Sequence, residues 1–77
     1  MQREPTHDPE AAAARLRREF ESLVDRIRAV QRDLSNRDFI ERAPAEVVAR
    51  RRAVCDELVE ALTAVRERME RLEEARE

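Results

Sequence analysis

Two long stretches of this chain place apolar side chains at alternating intervals of four and three residues, and this spacing limits the fold more than any other feature. Such a heptad pattern predicts amphipathic α-helices that each bury a narrow stripe against a partner helix. The first stripe is Leu16, Phe20, Leu23, Ile27, Val30 and Leu34. The second stripe is Val48, Cys55, Leu58, Leu62, Val65, Met69 and Leu72. One basic residue, Arg51, occupies the position of the second stripe that should be apolar.

Local signals mark where these helices begin and end. Asp8 and Pro9 suit the cap and first position of a helix, whereas short polar residues interrupt the pattern after Leu34. Pro44 disfavours helix before it and suits the start of a second helix. The connection between the two predicted helices is only about ten residues long, so it folds the helices back on each other in antiparallel directions. We therefore predict an all-α fold, a long antiparallel two-helix coiled-coil hairpin with a structured turn. Its predicted parts are a disordered tail at 1–8 and a hairpin at 9–77, with helices at about 9–35 and 44–76 and a turn at 36–43.

Composition argues against several classes of function. The chain has 77 residues, enough for one small domain that buries a seam and not the walled pocket of most enzymes. It contains no glycine for a phosphate-binding loop, one histidine and one cysteine, so we expect no catalysis, no cofactor and no metal site. Cys55 lies in the apolar stripe, where a thiol acts as a small hydrophobe. No membrane-length apolar run or signal peptide is visible, and we expect a cytoplasmic protein without membrane partners.

Charge is segregated along the chain. The formal net charge is −2, but residues 26–52 hold eight arginines against four carboxylates, a balance of +4 that leaves −6 for the remainder. The basic part contains the predicted turn. Within it, Arg51 is expected either to extend its guanidinium out of the seam or to pair with a carboxylate of the other helix.

The predicted turn carries a more specific pattern than a bend requires. Residues 34–48 read LSNRDFIERAPAEVV. This stretch resembles the C-terminal tRNA-binding arm of valyl-tRNA synthetases, whose tip follows L-S-N-x-x-F-[VI]-x-x-A-P-x-x-V-V, and the resemblance extends over roughly residues 12–74. The matching positions are Leu34, Ser35, Asn36, Phe39, Ile40, Ala43, Pro44, Val47 and Val48. The resemblance implies an antiparallel coiled coil that leans against the corner of tRNA and contacts its backbone.

The resemblance and the charge pattern together predict a partner, tRNA or another structured RNA. Arginine contacts to phosphates supply affinity and orientation without reading sequence. The candidate RNA-binding residues are Arg37, Arg42, Arg50, Arg51 and Arg52. The alternative for these arginines is a solvated, partly ion-paired surface. The apolar residues expected to cap the core of the hairpin at the turn are Phe39, Ile40, Ala43 and Val47.

Other functions stay open at this stage. One is a C-terminal hairpin like that of ribosome-associated ABC-F ATPases, and another is a protein-interaction coiled coil that binds no nucleic acid. A homodimer is possible in every case, because further apolar residues widen the stripe and a two-helix pair alone is marginally stable. The widening residues are Val24 and Val59 on one flank and Val47, Val54 and Ala61 on the other. Synthetase catalytic, editing and anticodon-binding domains are missing, so we expect an excised arm or a free-standing protein.

Overall fold

The computed structural model describes residues 8–76, and it is helical over almost all of that range. Helix α1 is Pro9–Ser35, the short helix α2 is Arg37–Arg42, and helix α3 is Ala45–Arg76. The fold is therefore all-α. The described residues outside helices are Asp8, Asn36, Ala43 and Pro44. Apart from Asp8, the predicted disordered tail lies outside the described residues.

Side-chain and backbone caps define the first helix and the connection. The Asp8 carboxylate accepts hydrogen bonds from the backbone N–H groups of Glu10 and Ala11, at 3.0 and 3.3 Å. Asn36 serves two helices, because its N–H donates to the Asp33 carbonyl of α1 and its side-chain oxygen accepts from the Phe39 N–H of α2. These bonds satisfy groups that a helix end leaves without partners.

Helix α2 lies inside the predicted turn, where the sequence pattern indicated no helix. It ends at Arg42 because Ala43 precedes proline and is extended, with φ −75° and ψ 146°. Asn36 is also extended, with φ −85° and ψ 111°. Neither break requires a positive φ, so a chain without glycine can make both.

The apolar stripes of α1 and α3 pack against each other. Five buried residues form the centre of the core: Leu23, Ile27, Val30, Leu58 and Val65. Partly buried residues packed against them are Leu16, Phe20, Leu34, Val54, Cys55, Ala61, Leu62 and Met69. The predicted burial of the stripe residues is confirmed for the members of this core, and Val54 and Ala61 join it from the flank of α3. Cys55 is a half-buried free thiol, as expected.

One expectation about the turn end is wrong. Phe39, Ile40 and Ala43 are half-buried, but Val47 is 39% exposed and does not cap the core. The neighbouring Val48 is buried instead, with 7% exposure. The two residues lie about 100° apart on the helix, so only one of them can point fully into the core.

The molecule is elongated. Its principal extents are 58 × 28 × 15 Å and its radius of gyration is 17.5 Å. A compact domain of this length has a radius of gyration of roughly 11–12 Å. Within residues 8–76, no helix has the length and apolarity that crossing a membrane requires.

Candidate nucleic-acid interface

The connection between α1 and α3 presents two of the candidate arginines. Arg37 and Arg42 are the first and last residues of α2, and both are exposed. Helix α2 is held in place by the half-buried side chains of Phe39 and Ile40 and by the cap from Asn36. Arg42 also suits its position, because a cation is favoured at the negative end of a helix.

Arg50 and Arg52 are exposed on the first turns of α3, but they point in different directions. Two residues of helix correspond to a rotation of about 200°, so these side chains lie on opposite sides of α3. Arg50 lines a groove of about 470 Å³ together with Glu46, Val47, Arg51 and Val54. Arg52 does not line this groove. The five predicted arginines therefore do not form one cluster.

Arg51 makes two contacts that join the helices at this end of the molecule. Its Nη1 donates to Oδ2 of Asp33 on α1 at 2.7 Å, and its Cζ lies 5.8 Å from the centre of the Phe39 ring. The pairing with a carboxylate of the other long helix, one of the two predicted outcomes, is confirmed. Because the Arg51 and Asp33 side chains are 44% and 41% exposed, water screens the pair, and a contribution of about 0.2–1 kcal/mol is expected. Arg51 is thus the candidate already held by contacts inside the protein.

A second basic groove lies on α1, which the sequence did not single out as a site. This shallow groove, of about 440 Å³, is lined by Arg28, Gln31, Arg32, Ser35 and Asn36. The signal that could have found it is the spacing of Arg28 and Arg32, because residues four apart are neighbours on a helix surface. In the part of the chain that the structure describes, Arg51–Asp33 is the only ion pair. The two arginines of this groove therefore carry no ion pair there.

The end of the molecule opposite to α2 has a different character. An apolar groove of about 390 Å³ is lined there by Ala13, Arg17, Phe20, Arg66, Met69, Glu70, Leu72 and Glu73. Over residues 8–76, no group of three His, Cys, Asp or Glu side chains could hold a metal ion. The net positive charge is instead around α2, because residues 26–52 hold eight arginines against four carboxylates.

An elongated helical protein with a net positive charge over residues 26–52, around α2, belongs to the class of charged helical binding arms. The family described as "Valyl tRNA synthetase tRNA binding arm" matches residues 8–73. The chain belongs to this family, which is a tRNA-binding arm and not a catalytic domain.

A curated relative is the valine–tRNA ligase of Psychrobacter arcticus, which is 38% identical over 65 residues. The match covers 84% of this chain and 7% of the relative, so the chain spans a small part of that protein. No solved structure matches the chain.

Proposed function

We propose that this chain is a non-catalytic arm that binds tRNA or another structured RNA through arginines of its basic end. The observation that carries the proposal is the family match over residues 8–73. The charge distribution supports it, because the balance of +4 over residues 26–52 attracts a phosphate backbone whereas the −6 of the remainder repels it. This asymmetry orients the arm with α2 towards the RNA.

The proposed architecture of the arm is an antiparallel coiled coil of α1 and α3. Two contacts support it. Asp33 near the end of α1 pairs with Arg51 near the start of α3. Phe20 in the first half of α1 shares a groove with Met69 in the last part of α3. This arrangement keeps α2 and the basic residues at one end of a rod, where they can reach a large folded partner.

The exposed candidates for phosphate contact are Arg37, Arg42, Arg50 and Arg52, and Arg51 is proposed to support them from within the protein. Contacts of this kind fix the position of the RNA without reading its sequence. Folded RNA suits such a surface, because its helices are recognised mainly by shape, phosphates and 2′-hydroxyl groups.

The proposal is tested by titrating the full chain against tRNA at several salt concentrations, with a duplex RNA for comparison. We expect affinity to fall steeply with salt and the double variant Arg50→Glu/Arg52→Glu to lose binding, because two positive charges of the basic end become negative and repel the phosphates. The matched control is Arg68→Glu/Arg71→Glu, which makes the same charge change on exposed residues of the same helix. These positions lie about 24–32 Å away along α3, beyond the Debye length of about 8–10 Å. The control should therefore bind nearly as well as the unchanged chain. Absence of binding at low salt, or equal loss in both variants, contradicts the proposal.

A second candidate function is self-association. Val47 and Val59 are the large apolar residues most exposed in the described structure, at 39% and 44%. Burying them against a second copy of the chain would add apolar contact to a thin core.

The ABC-F-type hairpin of ribosome-associated ATPases is another alternative. The family match over residues 8–73 favours the synthetase arm over that hairpin.

A further inference from the structure

We propose that the RNA backbone lies against one particular face of the helix pair, the Arg28 face, formed by Arg28, Arg32 and Arg52. This inference rests on the proposed function and assigns its contact surface. It adds two arginines of α1 that the sequence did not single out, and it leaves Arg50 on the opposite face.

The first support is the groove on α1. Arg28 and Arg32 are exposed, and their Cβ atoms are about 5–6 Å apart, as for any pair four residues apart on a helix. Two guanidinium groups at this spacing can reach neighbouring phosphates of one strand. Polar groups lie between and beside them, because Gln31, Ser35 and Asn36 line the same groove. The side-chain oxygen of Asn36 caps α2, which leaves its NH₂ group to donate to a ligand.

The second support places Arg52 on the same face. Arg17 of α1 and Arg66 of α3 line the same groove at the far end of the molecule. The side of α1 that carries Arg17 and the side of α3 that carries Arg66 therefore face the same way. On α1, Arg28 lies about three full helical turns after Arg17, so these two side chains project in nearly the same direction. On α3, Arg52 lies about four full turns before Arg66, so these two side chains also project in nearly the same direction. Arg28 and Arg52 therefore project to the same side, near α2.

The opposite face is less suited to a polyanion. Its groove contains the Glu46 carboxylate beside Arg50, and the Arg51 guanidinium there is already paired with Asp33. The carboxylates cancel much of the positive potential on that face. The Arg28 groove, in contrast, is lined by two arginines and three neutral polar residues, with no carboxylate. The exposed carboxylates one helical turn away, Asp25 from Arg28 and Asp56 from Arg52, form no ion pair with these arginines among the described residues.

The ligand that fits this face is the sugar–phosphate backbone of folded RNA. Arginines bind phosphate oxygens, and amide and hydroxyl groups can bond with 2′-hydroxyls. Neither phenylalanine lines the groove, so it offers no platform for stacking single-stranded bases.

The test compares four single variants of the full chain, Arg28→Gln, Arg32→Gln, Arg52→Gln and Arg26→Gln, in tRNA titrations between about 50 and 200 mM salt. Each phosphate contact contributes about 0.7–0.9 to the slope of log affinity against log salt, so the first three variants should each lower the slope by that amount and bind about fivefold more weakly. Arg26→Gln is the matched control, because Arg26 is an exposed arginine two positions from Arg28 and points to the opposite side of α1, and it should keep the slope of the unchanged chain. Circular dichroism checks that all four variants keep their helicity.

The outcomes separate this inference from the proposed function. If the unchanged chain does not bind tRNA at low salt, the proposed function fails and this assignment fails with it. If the chain binds but Arg26→Gln loses as much slope as Arg28→Gln, or Arg28→Gln and Arg32→Gln lose none, the face is wrong and the function stands. A measurement without substitutions guards against misfolded variants. Adding tRNA to the unchanged chain should shift the NMR signals of the Arg28 and Arg32 side-chain Nε–H groups, and unchanged signals would overturn the assignment.

Discussion

At the scale of single residues, Arg51 shows how a polar residue is accommodated in an apolar seam. Its stem lies at a stripe position, and its guanidinium reaches out to Asp33 and the Phe39 ring. A long side chain can bury its stem and keep its charge near water in this way. The interaction joins α1 and α3, so Arg51 has a structural task that Arg50 and Arg52 do not share.

A double-mutant cycle on Arg51→Ala and Asp33→Ala should measure this pair. We expect a coupling free energy of about 0.2–1 kcal/mol, since both side chains are partly exposed and screened. Urea unfolding followed by circular dichroism gives the four free energies of unfolding. The coupling should shrink at about 1 M salt, where the Debye length is about 3 Å. Additive effects of the two substitutions would show that the pair contributes nothing to stability.

At the scale of elements, α2 depends on its cap. A helix of 6 residues cannot be stable by itself, because helix nucleation is unfavourable and is recovered only over longer segments. Here the Asn36 side chain bonds to the Phe39 N–H, and Phe39 and Ile40 are half-buried. The cap and these contacts fix the direction in which Arg37 and Arg42 project.

Replacing the cap should therefore loosen α2 more than it unfolds the long helices. We expect Asn36→Ala to lower the free energy of unfolding by about 0.5–2 kcal/mol and to speed hydrogen exchange at the Phe39 amide. Asn36→Asp should keep most of the stability, because aspartate is an equally good cap. Ser35→Ala is a neighbouring exposed control with no cap to lose. Equal exchange rates at Phe39 in Asn36→Ala and the unchanged chain would contradict this role.

At the scale of the whole molecule, the core is thin. The buried apolar residues are Leu23, Ile27, Val30, Val48, Leu58 and Val65, of which Val65 has the smallest exposure, 2%. A rod with one seam has a large surface for its volume, so a second copy would bury apolar area that a single chain leaves in water. Charge segregation acts at the same scale, since residues 26–52 around α2 carry a balance of +4 and the remainder of the chain carries −6.

We expect the chain to form some dimer at high concentration. In sedimentation equilibrium the apparent mass should rise with concentration, and Val47→Glu/Val59→Glu should remove this rise. The matched control is Ala49→Glu/Ala64→Glu, which adds the same charge at exposed positions of α3. A strict monomer with full helicity at every concentration would exclude self-association.

The sequence by itself determined the parts of the protein that depend on local order along the chain. The heptad spacing identified most of the residues that meet in the core, Asp8 and Pro44 lie next to the first residues of α1 and α3, and the pattern from Leu34 to Val48 indicated the family. Caps and periodicity act between residues a few positions apart, so they can be read without knowing the partner helix.

Only the tertiary structure decided which residues of different helices face the same way. It paired Arg51 with Asp33, placed Arg50 but not Arg52 in the groove beside Glu46, and exposed Val47 while burying Val48. Periodicity gives the direction of a side chain around its own helix, but the rotation and axial offset of one helix against another follow from side-chain packing over the whole seam. The arginines were therefore visible in the sequence, and the face that each of them occupies was not.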